Sequence, residues 1–111
     1  HPAAGRAGRW IWERVKDGRP PALAEVARLL CLSARGAQRL FAAHHRCGVR
    51  AFILRIQIDR ACQLLRTTDL QIGEVSSACG FAGQSAFARL FKQRLGQTPR
   101  AWRLLERWET G

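Results

Sequence analysis

Residues 25–41 read EVARLLCLSARGAQRLF, and residues 74–91 read EVSSACGFAGQSAFARLF. Both stretches open on one pair, Glu25-Val26 and Glu74-Val75, and close on one triplet, Arg39-Leu40-Phe41 and Arg89-Leu90-Phe91. The first match is offset by 49 residues and the second by 50, so the second copy carries one extra residue in between. Self-similarity at a fixed period marks a repeated supersecondary unit. Each copy reads as short helix, tight turn, longer helix, which is the helix-turn-helix arrangement.

The flanking residues extend this pattern to the whole chain. Leu23, Val26, Ala27 and Leu30 form one apolar stripe at helical spacing, so residues 22–30 are expected to be helical. Ser33 is a good N-cap for a helix running to about His45, with a stop near Gly48. Residues 50–65 carry apolar side chains on several faces (Phe52, Ile53, Leu54, Ile56, Ile58, Ala61, Leu64, Leu65). Such a helix packs on several sides, as a connector between two subdomains does. Thr67-Thr68-Asp69 ends it. Helices follow at about 72–79 and 83–95, closed by Gly80 and Gly96. Thr98-Pro99 then caps and opens a helix from 99 to about 107. Upstream, Trp10–Asp17 reads as a short helix that Gly18 and Pro20-Pro21 stop. Residues 1–9, HPAAGRAGR, read as a linker or cloning remnant. No segment alternates like a strand. The expected fold is all-α, with seven helices in two homeodomain-like helix-turn-helix subdomains joined by a long central helix. The first unit covers about 22–48, the bridge 50–65, the second unit 72–96 and the terminal helix 99–107.

Net charge is +11, with only Lys16 and Lys92 as lysines, so arginine supplies nearly all of it. Such an excess calls for an anionic partner. The planar arginine fork suits phosphates and guanine edges. No apolar run approaches the roughly 18 residues that span a bilayer. The arginines are spread over short helices rather than along one amphipathic one, which argues against a membrane-active helix. Nucleophile–base pairs, phosphate-binding glycine loops and carboxylate clusters are not recognisable, so an enzyme is not expected and neither is a cofactor. Cys31, Cys47, Cys62 and Cys79 form no C-x-x-C pair. They read as buried or half-buried reduced thiols of a cytosolic protein. His44-His45-Arg46-Cys47 offers metal-ligand types, but a zinc site needs four spaced ligands, so packing is the preferred reading. The tryptophans at the two chain ends (10, 12, 102 and 108) are expected in core and subdomain contacts.

Helical spacing sorts the longer helix of each unit into two faces. Ala37, Leu40, Phe41 and His44 are expected inward in the first copy, and Phe87, Leu90, Phe91 and Leu95 in the second. The outward stripes are Arg35, Gln38, Arg39 and Ala42, and Gln84, Ser85, Ala88, Arg89 and Lys92. Arginine pairs with guanine and glutamine with adenine through two hydrogen bonds. One such stripe is an ordinary solvated face. Two at matching repeat positions on a strongly basic chain point to DNA.

Gly80-Phe81, Phe87, Phe91-Lys92, Gly96, Thr98-Pro99 and Arg103 spell G-F-x5-F-x3-F-K-x3-G-x-T-P-x3-R. This resembles the signature at the second helix-turn-helix of the AraC/XylS regulators. Leu23–Ala27, Ser33, Arg39–Phe41, Gly48, Arg60-Ala61 and Leu64–Asp69 match further upstream, so the likeness runs from about Trp10 to Arg103. It implies sequence-specific binding of double-stranded DNA in transcription regulation, in the cytoplasm of a bacterium. It implies two recognition helices in successive major grooves on one DNA face. The bridge would be about 24 Å long against groove spacings of about 34 Å, so the recognition helices must project outward or the DNA must bend. Arg35, Gln38 and Arg39 are assigned to bases of the first groove, and Gln84, Ser85, Ala88 and Arg89 to the second. Ser33, Lys92, Arg94 and Arg100 are assigned to phosphates, with the helix starts near Ile72 and Pro99 offering N–H groups. An N-terminal sensor or dimerisation domain and RNA polymerase are the further partners implied. Gly36, Ala37 and Gln57 depart from the usual pattern, and Ala22 and Gln71 are weak N-caps. Gly36 and Ala37 suggest a looser first unit.

Overall fold

The computed structural model describes residues 2–110, and side chains through Trp108. The described residues form seven helices and no strand: α1 (Pro2–Lys16), α2 (Leu23–Leu30), α3 (Ala34–His45), α4 (Val49–Thr67), α5 (Ile72–Ala78), α6 (Gln84–Leu95) and α7 (Pro99–Thr110). They divide into two compact units, residues 1–56 and 57–111, and the division falls inside α4.

The first unit packs α1, α2, α3 and the start of α4 around one core. Ala7, Ile11, Val15, Val26, Ala27, Ala37, Phe41, Val49, Phe52 and Ile53 are all buried in it. Phe41 meets Phe52 edge-on at 5.3 Å, and His45 lies against Phe52 at 4.3 Å. His45 also places Nε2 3.2 Å from the Ala4 carbonyl. Thus His45, not His44, carries the inward role at the end of α3, since His44 is exposed. Ala37 is fully buried in this continuous core, although its counterpart in the second unit is a phenylalanine.

Residues 2–9 are not a linker: they are the first half of α1. Alanine is the best helix former, and proline suits the first helical position. Ala4, Ala7, Ile11 and Val15 make a buried stripe at helical spacing. Gly8 lets α1 approach closely, since a Cβ there would stand 3.3 Å from the Phe52 ring. Residue 1 lies outside the described residues.

In the second unit the later half of α4 carries Ile58, Ala61, Leu64 and Leu65 inward, with Val75 from α5, Cys79 just after it, and Phe87 and Phe91 from α6, all buried. Ring contacts run Phe81–Phe87–Phe91–Trp102 at 4.9, 5.6 and 5.9 Å. Gln57, buried, donates Nε2–H to the Cys79 carbonyl at the end of α5, so a neutral amide meets an otherwise orphaned helix-end acceptor. Leu95, expected inward, is 38% exposed. It stands one residue before the left-handed Gly96, where the helix surface is already turning to solvent. Trp102 is half-buried against Phe91, but Trp108 is 85% exposed, against expectation, on the last turn of α7.

The repeated glutamates act alike. Glu25 accepts the Ala22 N–H at 3.2 Å, and Glu74 accepts the Gln71 N–H at 2.9 Å. Each satisfies a free N–H at a helix start that the residue there does not cap by its own side chain. Val26 and Val75, one residue on, are fully buried.

Candidate nucleic-acid interface

Ser33 starts α3: its Oγ accepts the Gly36 N–H at 3.0 Å. A Cβ on Gly36 would press on Leu32 Cβ and Ser33 Oγ, each at 3.3 Å, so the turn is tight at that point. Gly83 stands at the start of α6 in extended backbone and caps it with no side chain. Phe41 and Phe91 pin the two helices to their cores, and Arg39 and Arg89, two residues earlier, are exposed on the other side.

Arg35 and Arg39 project from α3, and Gln84, Ser85 and Arg89 from α6, all exposed. Ala88 is half-buried and brings only a methyl group to that face. Gln38 is half-buried too, and its Oε1 accepts the Val49 N–H at 2.8 Å. That bond turns the amide oxygen toward the start of α4, whereas two-bond pairing with adenine needs oxygen and nitrogen together at the base edge. The Gln84 amide oxygen lies over Gly73 in α5, where a Cβ would meet it at 2.8 Å.

Lys92, Arg94 and Arg100 are exposed, as is Ser33. Sequence reasoning passed over Arg50. It is exposed in the first turn of α4 and stands 50 residues before Arg100, which occupies the first turn of α7. The repeat register contained the signal, because both arginines follow directly on the paired positions Val49 and Pro99.

The thiols are not uniformly buried as expected: Cys31 is exposed, Cys47 and Cys62 are half-buried and Cys79 is buried. Burial pushes the Cys62 and Cys79 thiols up to about 11. Among the described residues, no three His, Cys, Asp or Glu side chains group as a metal site. No helix among the described residues is long and apolar enough to cross a membrane.

The helix-turn-helix domain family matches residues 26–104. The chain is 37% identical over 90 residues to the HTH-type transcriptional regulator CdhR of Pseudomonas aeruginosa, covering 80% of this chain and 27% of that protein. It is 33% identical over 93 residues to the uncharacterized HTH-type transcriptional regulator YfiF of Bacillus subtilis, covering 82% of this chain and 29% of that one. The chain therefore spans less than a third of these relatives' length. Among solved structures, an AraC-type transcriptional regulator from Chromobacterium violaceum superposes with a TM-score of 0.87 at 25% identity, over 95% of this chain and 92% of that one. The DNA-binding domain of AdpA, solved with a target DNA, superposes with a TM-score of 0.89 over 96% of this chain and 95% of that one. At 23% identity the latter likeness is one of fold. On the family match and these relatives together, the chain belongs to the AraC-type helix-turn-helix family of transcription-regulator DNA-binding domains.

Proposed function

We propose that this domain binds promoter DNA with sequence preference, laying α3 and α6 into successive major grooves on one face of the duplex. Arg39 and Arg89 carry the reading: they are exposed at equivalent repeat positions on helices that buried phenylalanines hold from behind. Arg35 joins Arg39 on the first face, and Gln84 and Ser85 join Arg89 on the second. Ser33, Lys92, Arg94 and Arg100, with Arg50 added, contact phosphates, and the +11 net charge supplies the non-specific attraction.

The greater length of the relatives supports a further sensor or dimerisation domain in the whole protein. That protein would act on RNA polymerase from a promoter site in the bacterial cytoplasm. The test is selection from a randomised duplex library, followed by affinity against salt. Arg39→Ala and Arg89→Ala should each cost about 1–3 kcal/mol on the selected site. If both bind selected and random DNA as the wild type does, these faces do not read bases.

A further inference from the structure

Val49 opens α4 and is fully buried. Its N–H belongs to the first helical turn, where no carbonyl of the helix accepts it. Gly48, before it, has no side chain to serve as a cap. Gln38 of α3 supplies the acceptor, at 2.8 Å. Gly48 belongs to the same fit, because a Cβ there would stand 3.0 Å from Gln38 Oε1.

The second unit meets the same need with different residues. Fifty positions on, Val49 becomes Pro99 and Gln38 becomes Ala88. Pro99 is fully buried like Val49. Proline has no N–H, and its fixed φ suits the first helical position. Ala88 therefore has no donor to satisfy. The remaining cap falls to Thr98, whose Oγ1 accepts the Ala101 N–H at 3.2 Å. Donor and acceptor are present together in one unit and absent together in the other.

We infer that Gln38 is a positioning residue, tying recognition helix α3 to the start of α4, and that the first unit reads DNA through Arg35 and Arg39 without it. The DNA half of this inference rests on the proposed function. Reading adenine takes the amide oxygen and nitrogen together, and turning Gln38 outward strands a buried N–H. The first half-site is accordingly directed to guanine. The second, with Gln84 beside Arg89, accommodates adenine as well.

A double-mutant cycle on the full chain tests the tie without DNA. Gln38→Ala should lower Tm and speed hydrogen exchange of the residue 49 amide by about tenfold or more. In a Val49→Pro background, Gln38→Ala should leave Tm unchanged, because the pair then matches Ala88 and Pro99. Equal Tm losses from Gln38→Ala in both backgrounds overturn the tie. Should Val49→Pro fold poorly, unchanged protection of the residue 49 amide in Gln38→Ala alone overturns it.

The DNA half is read by selection from a randomised duplex library. Gln38→Ala and the double variant should return the wild-type motif. Loss of one adenine column in both variants makes Gln38 a base reader. If the wild type itself returns no motif, the proposed function fails and the DNA half with it, whereas amide exchange still decides the tie.

Discussion

Cys31 and Gly80 hold the same left-handed backbone at the same point of the two units, with φ of 57° and 77°. The surrounding bonds match as well. Leu32 N–H reaches the Ala27 carbonyl at 3.0 Å, and Phe81 N–H reaches the Ser76 carbonyl at 3.1 Å. This is the Schellman ending of a helix, which favours glycine. The first unit places a side chain there, and does so again at Arg46 (φ 60°) where the second unit has Gly96 (φ 79°). A left-handed non-glycine residue costs roughly 1–2 kcal/mol, offset in part by the lower entropy of its unfolded chain.

Cys31→Gly and Arg46→Gly should each therefore raise stability by about 0.5–1 kcal/mol. Both side chains are exposed, so little packing is lost. Urea denaturation followed by tryptophan fluorescence measures the change. A loss of stability in both variants means that these side chains make contacts that outweigh the backbone strain.

Arg103 donates to three carbonyls, Leu65 at 3.0 Å, Leu70 at 2.6 Å and Thr68 at 3.3 Å. Arg107 adds bonds to the Leu65 and Thr68 carbonyls. The two guanidinium groups clasp α7 to the end of α4 and the turn after it. Arg103→Ala should cost about 2–3 kcal/mol, and Arg103→Lys should recover little, because an ammonium cannot reproduce the planar fork. A lysine variant as stable as wild type makes the interaction a matter of charge alone.

Glu25 lies 2.8 Å from Arg14. The Arg14 hydrogen bond first, and the Ala22 N–H second, hold its carboxyl below the ordinary value of 4.5. A depressed folded value means stability that is present above the unfolded value and lost as pH falls through the folded one. Asp69 beside Arg107 follows the same direction. Stability should drop on the acid side below about pH 4.5, and Glu25→Gln should flatten that drop while leaving an acceptor for the Ala22 N–H. Identical pH profiles for Glu25→Gln and wild type remove Glu25 from the acid transition.

Gly73 sits in the first turn of α5 beneath Gln84. Gly73→Ala should stabilise the helix by up to about 1 kcal/mol, since only the flexible end of Gln84 must move. The same displacement should weaken any adenine preference of the second half-site. Melting curves and library selection read the two effects separately. A destabilised variant with an unchanged motif contradicts both halves of the expectation.

The thiols should react in order of exposure. Cys62 and Cys79, held at about 11 by burial, are roughly one-thousandth thiolate at pH 8. Iodoacetamide should label Cys31 well before either of them. Rapid modification of Cys79 in folded protein contradicts its burial.

The repeat was legible because its residues face opposite demands at fixed spacing. Val26 and Val75 must be buried, Glu25 and Glu74 must cap a helix start, and Phe41 and Phe91 must anchor a recognition helix. Helix ends followed from Ser33, Gly96 and Thr98-Pro99. Residues 2–9 were misread because alanine and glycine are small in linkers and at tight contacts alike, and only the Phe52 ring tells the two apart. Period placed Gln38 on the outward stripe but cannot show that its side chain turns back to the Val49 N–H. His44 and His45 are adjacent in the sequence, and only the packing of Phe41 and Phe52 selects the inner one. Trp108 followed a rule about large apolar residues that the last turn of a terminal helix does not obey.

The burial of Ala4 and Ala7 bears on how this module can be transplanted. A chimera joined at Trp10 would omit two helical turns and leave Phe52 and His45 without their covering wall. A graft that preserves the first unit must carry the segment from Pro2 onward, with the donor sequence ending before it.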